Sequence, residues 1–176
     1  MSSTDSLHRL FVDGYNMIGA WPDLVKLRQH KGFDAARQKL IEILVNYSAR
    51  KGYDTQLVFD AYAVRSPHQL LAVTPNLSVC YTAFGQTADS YIEYLCAQLR
   101  QRALSRSRVI VATSDYSHRL TVLGYGAEWV SAEKLHSDVT FTQGQDITSH
   151  QRFSHTLFDR VNSETREKLM RLRLGL

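Results

Sequence analysis

Three short apolar runs in this sequence end on an aspartate: Thr55–Phe59 on Asp60, Leu10–Val12 on Asp13, and Val109–Thr113 on Ser114-Asp115. Runs of this length, rich in branched and aromatic residues, read as buried strands. The segments between them carry a helical period instead. Phe33, Ala36, Leu40, Ile43, Leu44 and Tyr47 line one face of a helix expected over 35–51, with Asp34 as N-cap and Gly52 as its end. Ala88, Ile92, Leu95, Cys96 and Leu99 do the same over 88–104, capped by Thr87. Leu77–Tyr81 and Ala127–Val130 supply two further strands. A short helix is expected over Tyr116–Leu123, and Ser131 caps another that ends near Val139. Strands alternating with helices predict an α/β fold: a mostly parallel five-stranded sheet with helices on both faces.

In such a sheet all parallel strands end at one edge, which is where ligands bind. Asp13, Asp60 and Asp115 are therefore expected side by side. Asp89 opens the 88–104 helix and reaches the same edge, with Glu93 one turn further along. Gly14 is expected to turn the backbone into a loop carrying Tyr15 and Asn16. Carboxylates gathered without a lysine among them repel one another unless a cation intervenes. Mg²⁺ or Mn²⁺, hard ions that prefer oxygen ligands, suit the position. The corresponding chemistry is phosphoryl transfer or phosphodiester hydrolysis. No GxxxxGK, GxGxxG, GxSxG or HExxH motif is present. Asp13-Gly14-Tyr15 lacks the second aspartate of an aspartyl-phosphate phosphatase. His118 is expected at the surface rather than as a general base.

A formal charge of +4 permits a polyanionic partner. Cys80 and Cys96 lie in apolar segments and read as buried thiols of a reducing compartment. No apolar run is long enough for a membrane span and residues 1–8 lack a signal-peptide core, so the expected location is cytoplasmic. The expected organisation is a lead-in at 1–8, a domain over 9–139, then a linker and a basic C-terminal helix over 140–176.

The segments LFVDGYNMIGAW (10–21), VFDAY (58–62), TADSYIE (87–93) and VATSDYSHR (111–119) together resemble the YacP-like branch of the NYN domains. The resemblance extends to the basic stretch at 158–173. It implies a three-layer PIN-like fold, Mg²⁺ or Mn²⁺ as cofactor, and cleavage of RNA; bacterial members are linked to mRNA cleavage on the ribosome. Position by position, Asp13, Asp89 and Asp115 match the family's site aspartates, Asn16 the polar residue of the DGYN signature, and Asp60 a further acidic position. The implied metal set is Asp13, Asp60, Asp89 and Asp115, with Asn16 among the catalytic residues. Ser114 and Thr87 are expected to orient the neighbouring aspartates.

A negative metal cluster needs positive charge around it to hold a polyanion. Arg37, Arg65 and Arg119 are candidates for phosphate contacts, and Tyr15 and Trp21 for stacking an unpaired base. The Arg100–Arg108 run is expected at the opposite edge. The resulting expectation is a metal-dependent endoribonuclease of single-stranded RNA, acting as a monomer or weak homodimer. Its rivals are a non-catalytic RNA- or ribosome-binding module and a small-molecule phosphatase. Intact carboxylates favour the enzyme, because a binding module gains nothing from a negative cluster facing RNA.

Overall fold

The structure is a computed structural model that describes residues 8–61, 65–101 and 108–147. The expected lead-in before His8, Arg102, Arg106 and the expected C-terminal helix lie outside the described residues. Within them the chain runs β1 (His8–Asp13), α1 (Gly14–Ala20), α2 (Pro22–Lys51), β2 (Tyr53–Phe59), β3 (Gln69–Thr74), β4 (Leu77–Tyr81), α3 (Ala88–Gln101), β5 (Val109–Ala112), α4 (Tyr116–Gly124), β6 (Glu128–Val130) and α5 (Ala132–Ile147). The sheet has six strands in the order β3-β4-β2-β1-β5-β6. All pairings are parallel except β3 with β4. The α/β architecture is as expected, and the sixth strand is an addition. β3 is not among the expected strands; it is an edge strand whose apolar run Leu70–Val73 remains mostly part-exposed.

Two cores sandwich the sheet, as the alternation of side chains along a strand requires. Leu10, Val12, Leu57 and Phe59 pack with α1, α2 and α5, while Phe11, Val58 and Val111 pack with α3 and α4. Cys80 and Cys96 are buried free thiols, and burial raises the pKa of each, to about 11 and about 12. No helix among the described residues is long and apolar enough to cross a membrane.

Three helices depart from expectation. α1 starts directly at Gly14, where a loop was expected, because the Asp13 carboxylate caps it by accepting from the Asn16 backbone N–H. α2 begins at Pro22, well before residue 35, and changes direction at Gly32, whose φ of 84° is outside the helical range. Gly32 adopts this conformation without the strain a Cβ would bring. α5 continues past Val139 to Ile147. Its polar second half shows no apolar period, and the Thr140 and Thr142 hydroxyls turn back to the carbonyls of His136 and Asp138.

Gly14 is required for a different reason, a close approach. A Cβ there would stand 2.3 Å from Phe59 Cε1 and 2.6 Å from its Cδ1. That ring is fully buried and held between Tyr15 and Tyr81, so it cannot yield cheaply. Gly14→Ala is expected to cost about 2–3 kcal/mol through overpacking and to lower Tm by roughly 5–10 °C. Gly19→Ala, in the same helix with open space around it, is the control and should leave Tm unchanged or slightly raised. Comparing the two by thermal melting separates close packing from helix propensity.

Candidate active site

Asp13 closes β1, the strand between β2 and β5, and its side chain follows Phe11 toward the α3/α4 side of the sheet. It is 5% exposed. Both carboxylate oxygens are engaged by one residue: Asn16 donates its backbone N–H to Oδ1 at 3.1 Å and its side-chain Nδ2 to Oδ2 at 2.5 Å. The Ser114 hydroxyl in turn donates to Asn16 Oδ1. Asn16 therefore positions Asp13, and Ser114 positions Asn16 rather than Asp115. Burial pushes the Asp13 pKa up to about 6; the Asn16 hydrogen bonds oppose this and the nearby Asp89 charge adds to it.

Asp89 lies in the first turn of α3, whose start is capped by Thr87 Oγ1 accepting from Ser90 N at 3.2 Å. Thr87 thus serves the helix cap and the Ser90 hydroxyl, with which its own side chain also bonds. Facing Asp89 from α4 is His118. The expectation of a surface histidine is corrected here: His118 is buried, on the inner face of α4 with Val122. Its Nδ1 stands 3.0 Å from Asp89 Oδ1 and its Nε2 3.5 Å from Glu93 Oε1. Both ring nitrogens are buried, and these two carboxylates are what they face. The attraction is greatest when the ring is protonated. Burial works against the protonated ring, but Asp89, Glu93 and Asp13 outweigh it and raise the His118 pKa. The signal available in sequence was the four-residue spacing from His118 to Val122.

Asp115 caps α4, its Oδ1 accepting from both the backbone N–H and the hydroxyl of Ser117, at 2.8 and 2.7 Å. Those bonds hold its pKa below the usual carboxylate value. Its own N–H donates to Thr113 Oγ1 at 3.1 Å. Asp60 follows β2, adjacent to β1, so Asp13, Asp60 and Asp115 share one sheet edge, with Asp89 in the first turn of a helix that begins there. Among the described residues no three of His, Cys, Asp and Glu form a ready-made metal cage. The donor chemistry nevertheless fits a hard divalent cation: a desolvated Asp13 carboxylate faces the charge of a second carboxylate, Asp89.

The expected RNA-contacting residues divide. Arg37 donates to Tyr15 Oη at 2.7 Å and to Asp34, so it braces the start of α1. Tyr15 lies edge-on to Phe33 and Phe59. Arg119 lies over the rings of Tyr116 and Trp129, at 5.3 and 4.6 Å, and Arg65 lies over Phe84. Trp21 is corrected: it is 1% exposed and its indole N–H donates to the Ala132 carbonyl at 2.9 Å, so no base can stack on it. At the opposite edge Arg108 pairs with Glu128 and Arg100 donates to Gly124 O.

The profile of the YacP-like NYN domain family matches residues 10–174. The protein named "Uncharacterized protein YacP" from Bacillus subtilis (strain 168) is 38% identical over 130 residues, 74% of each chain. The crystal structure of Rae1 (YacP) from Bacillus subtilis superposes with a TM-score of 0.65 at 31% identity, covering 96% of this chain and 96% of that one. A mutant of that protein gives a TM-score of 0.64 at 31% identity, covering 93% of this chain and 99% of that one. With sheet order, motif order and these relatives in agreement, the chain belongs to the YacP-like NYN domain family, a branch of the PIN-like nucleases.

Proposed function

We propose that this protein is a Mg²⁺- or Mn²⁺-dependent endoribonuclease that hydrolyses single-stranded RNA, with messenger RNA, free or on the ribosome, as its target. The observation that supports it most is Asp13: a buried carboxylate at the carboxyl end of a central strand, held by both oxygens yet facing a second carboxylate. Folding places such a group at a cost, and a functional site is where that cost is retained.

Asp13 and Asp89 would hold the cation, with Asp60 and Asp115 contributing from the neighbouring strand ends. When bound, the cation supplies Lewis acidity, favouring ionisation of the attacking water and offsetting negative charge on the phosphate. The chain's own residues do the rest. Asn16 and Ser114 fix the orientation of Asp13 before substrate arrives, which avoids reorganisation during reaction. His118 offsets the charge of Asp89 and Glu93 and keeps the first turn of α3 against α4. Asp115, with its lowered pKa, remains ionised throughout the neutral range.

The test is incubation of a circular single-stranded RNA with the protein in Mn²⁺ or in EDTA. Endonucleolytic opening of the circle in Mn²⁺ alone is the expected result. Opening in EDTA would remove the metal from the account. An intact circle that nevertheless binds the protein would replace the enzyme with a binding module.

A further inference from the structure

The carboxylate edge is ringed by aromatic side chains that the core does not absorb. Phe33, Phe84 and Tyr116 are 47%, 55% and 67% exposed. Each has an arginine guanidinium over its ring: Arg28 at 5.4 Å from Phe33, Arg65 at 5.8 Å from Phe84, and Arg119 at 5.3 Å from Tyr116. These are cation–π distances. Their placement is not scattered. Tyr116 is the first residue of α4, next to Asp115. Phe84 lies three residues beyond the end of β4, in a turn closed by Gln86 N donating to Ala83 O at 3.0 Å. Phe33 follows the Gly32 bend and sits edge-on at 5.6 Å to Tyr15, two residues from Asp13.

We propose that Phe33, Phe84 and Tyr116, each backed by its arginine, form a rim of base-stacking platforms that holds a run of single-stranded RNA across Asp13. Every base has a π-face, so an exposed ring binds bases regardless of sequence, while the guanidinium behind it attracts the adjoining phosphate. β4 and β5 are three strand spacings apart, about 14 Å, with β1 and Asp13 between them. Platforms on both flanks and above the sheet suit an oligonucleotide rather than a mononucleotide. A paired duplex, whose bases are stacked internally, could not use them. Positive charge backing each ring favours a polyanion over an apolar protein partner.

The inference rests on the nuclease reading for its substrate, and the experiment separates the two. Asp13→Asn protein is titrated into a fluorescently labelled ten-nucleotide oligouridylate, and binding is followed by anisotropy. Phe33→Ala, Phe84→Ala and Tyr116→Ala, added singly to that background, are each expected to weaken binding about 5- to 100-fold. Phe84→Tyr and Tyr116→Phe, which keep the ring, should bind as the parent does. Phe141→Ala is the control: it removes an exposed aromatic lying about 14 Å along α5 from its first turn and should change nothing. In the Asp13 enzyme the same alanine variants should raise KM with little change in kcat. Parent-like binding by the three alanine variants, equal loss in Phe141→Ala, or absence of oligouridylate binding by the parent would overturn the rim. Ring-dependent binding without cleavage by any Asp13 protein would uphold the rim and overturn the nuclease.

Discussion

Asp13→Asn is expected to abolish RNA cleavage while leaving the protein folded and, in EDTA at pH 8, more stable than the wild type. The loss of activity should be about a thousandfold or more, about 4 kcal/mol at the barrier. The gain in stability follows from linkage. The folded-state pKa of Asp13 is raised from 3.8 to about 6, so the folded form takes up the proton more readily than the unfolded chain. The penalty for the charged form is absent below about pH 4, grows as pH rises through the interval, and is complete above about 6. At full size it is about 3 kcal/mol. Asparagine removes it but gives up one of the bonds from Asn16, so a net rise in Tm of roughly 2–5 °C is expected at pH 8. The advantage over wild type should shrink as pH falls from 6 to 4, as melting curves at a series of pH values would show. A variant less stable than wild type at pH 8 would mean that Asp13 is a structural group.

Trp21→Ala should be the most destabilising of the substitutions considered. The side chain is buried where α1 meets α2, and its N–H reaches across to the Ala132 carbonyl at the start of α5. Truncation leaves a large cavity, worth about 3–5 kcal/mol, and a carbonyl without its donor. A fall in Tm of roughly 10–15 °C is expected. Trp21→Phe should lose about 1–2 kcal/mol through the hydrogen bond and retain RNA affinity. Weakened RNA binding by Trp21→Phe at unchanged Tm would restore the base-stacking role that its burial argues against.

Trp21 illustrates why some of this chain was legible in sequence and some was not. Strand ends were readable because a buried parallel strand needs an unbroken apolar run, and LFVD, LVFD and VIVATSD each stop on polar residues at one edge. Asp13, Asp60, Asp89 and Asp115 could therefore be assigned to a shared edge from topology alone. Residue type did not reveal what each side chain touches. Trp21 and Tyr15 both read as available aromatics, and only the packing of α5 distinguishes the enclosed ring from the one near the site. His118 escaped because histidine is ambiguous on a short helix, where two turns barely establish a period. β3 escaped although Leu70–Val73 is apolar, because so short a run does not by itself distinguish a strand from other structure. Asp13-Gly14 read as a turn because that pair favours turns; the side chain instead caps a helix.

The arginines carry a related lesson. Arg37, Arg65 and Arg119 were singled out for their charge, but each sits against an aromatic side chain. Their fixed positions, more than their charge, make them suited to holding a strand of nucleotides.

The most direct measurement is cleavage of labelled single-stranded RNA, free and on translating ribosomes, by wild type and Asp13→Asn side by side in Mn²⁺ and in EDTA. The account predicts cutting by wild type in Mn²⁺ alone, and none by Asp13→Asn under any condition. Equal cutting by both proteins, or binding of RNA and ribosomes by both with no cutting by either, would contradict it.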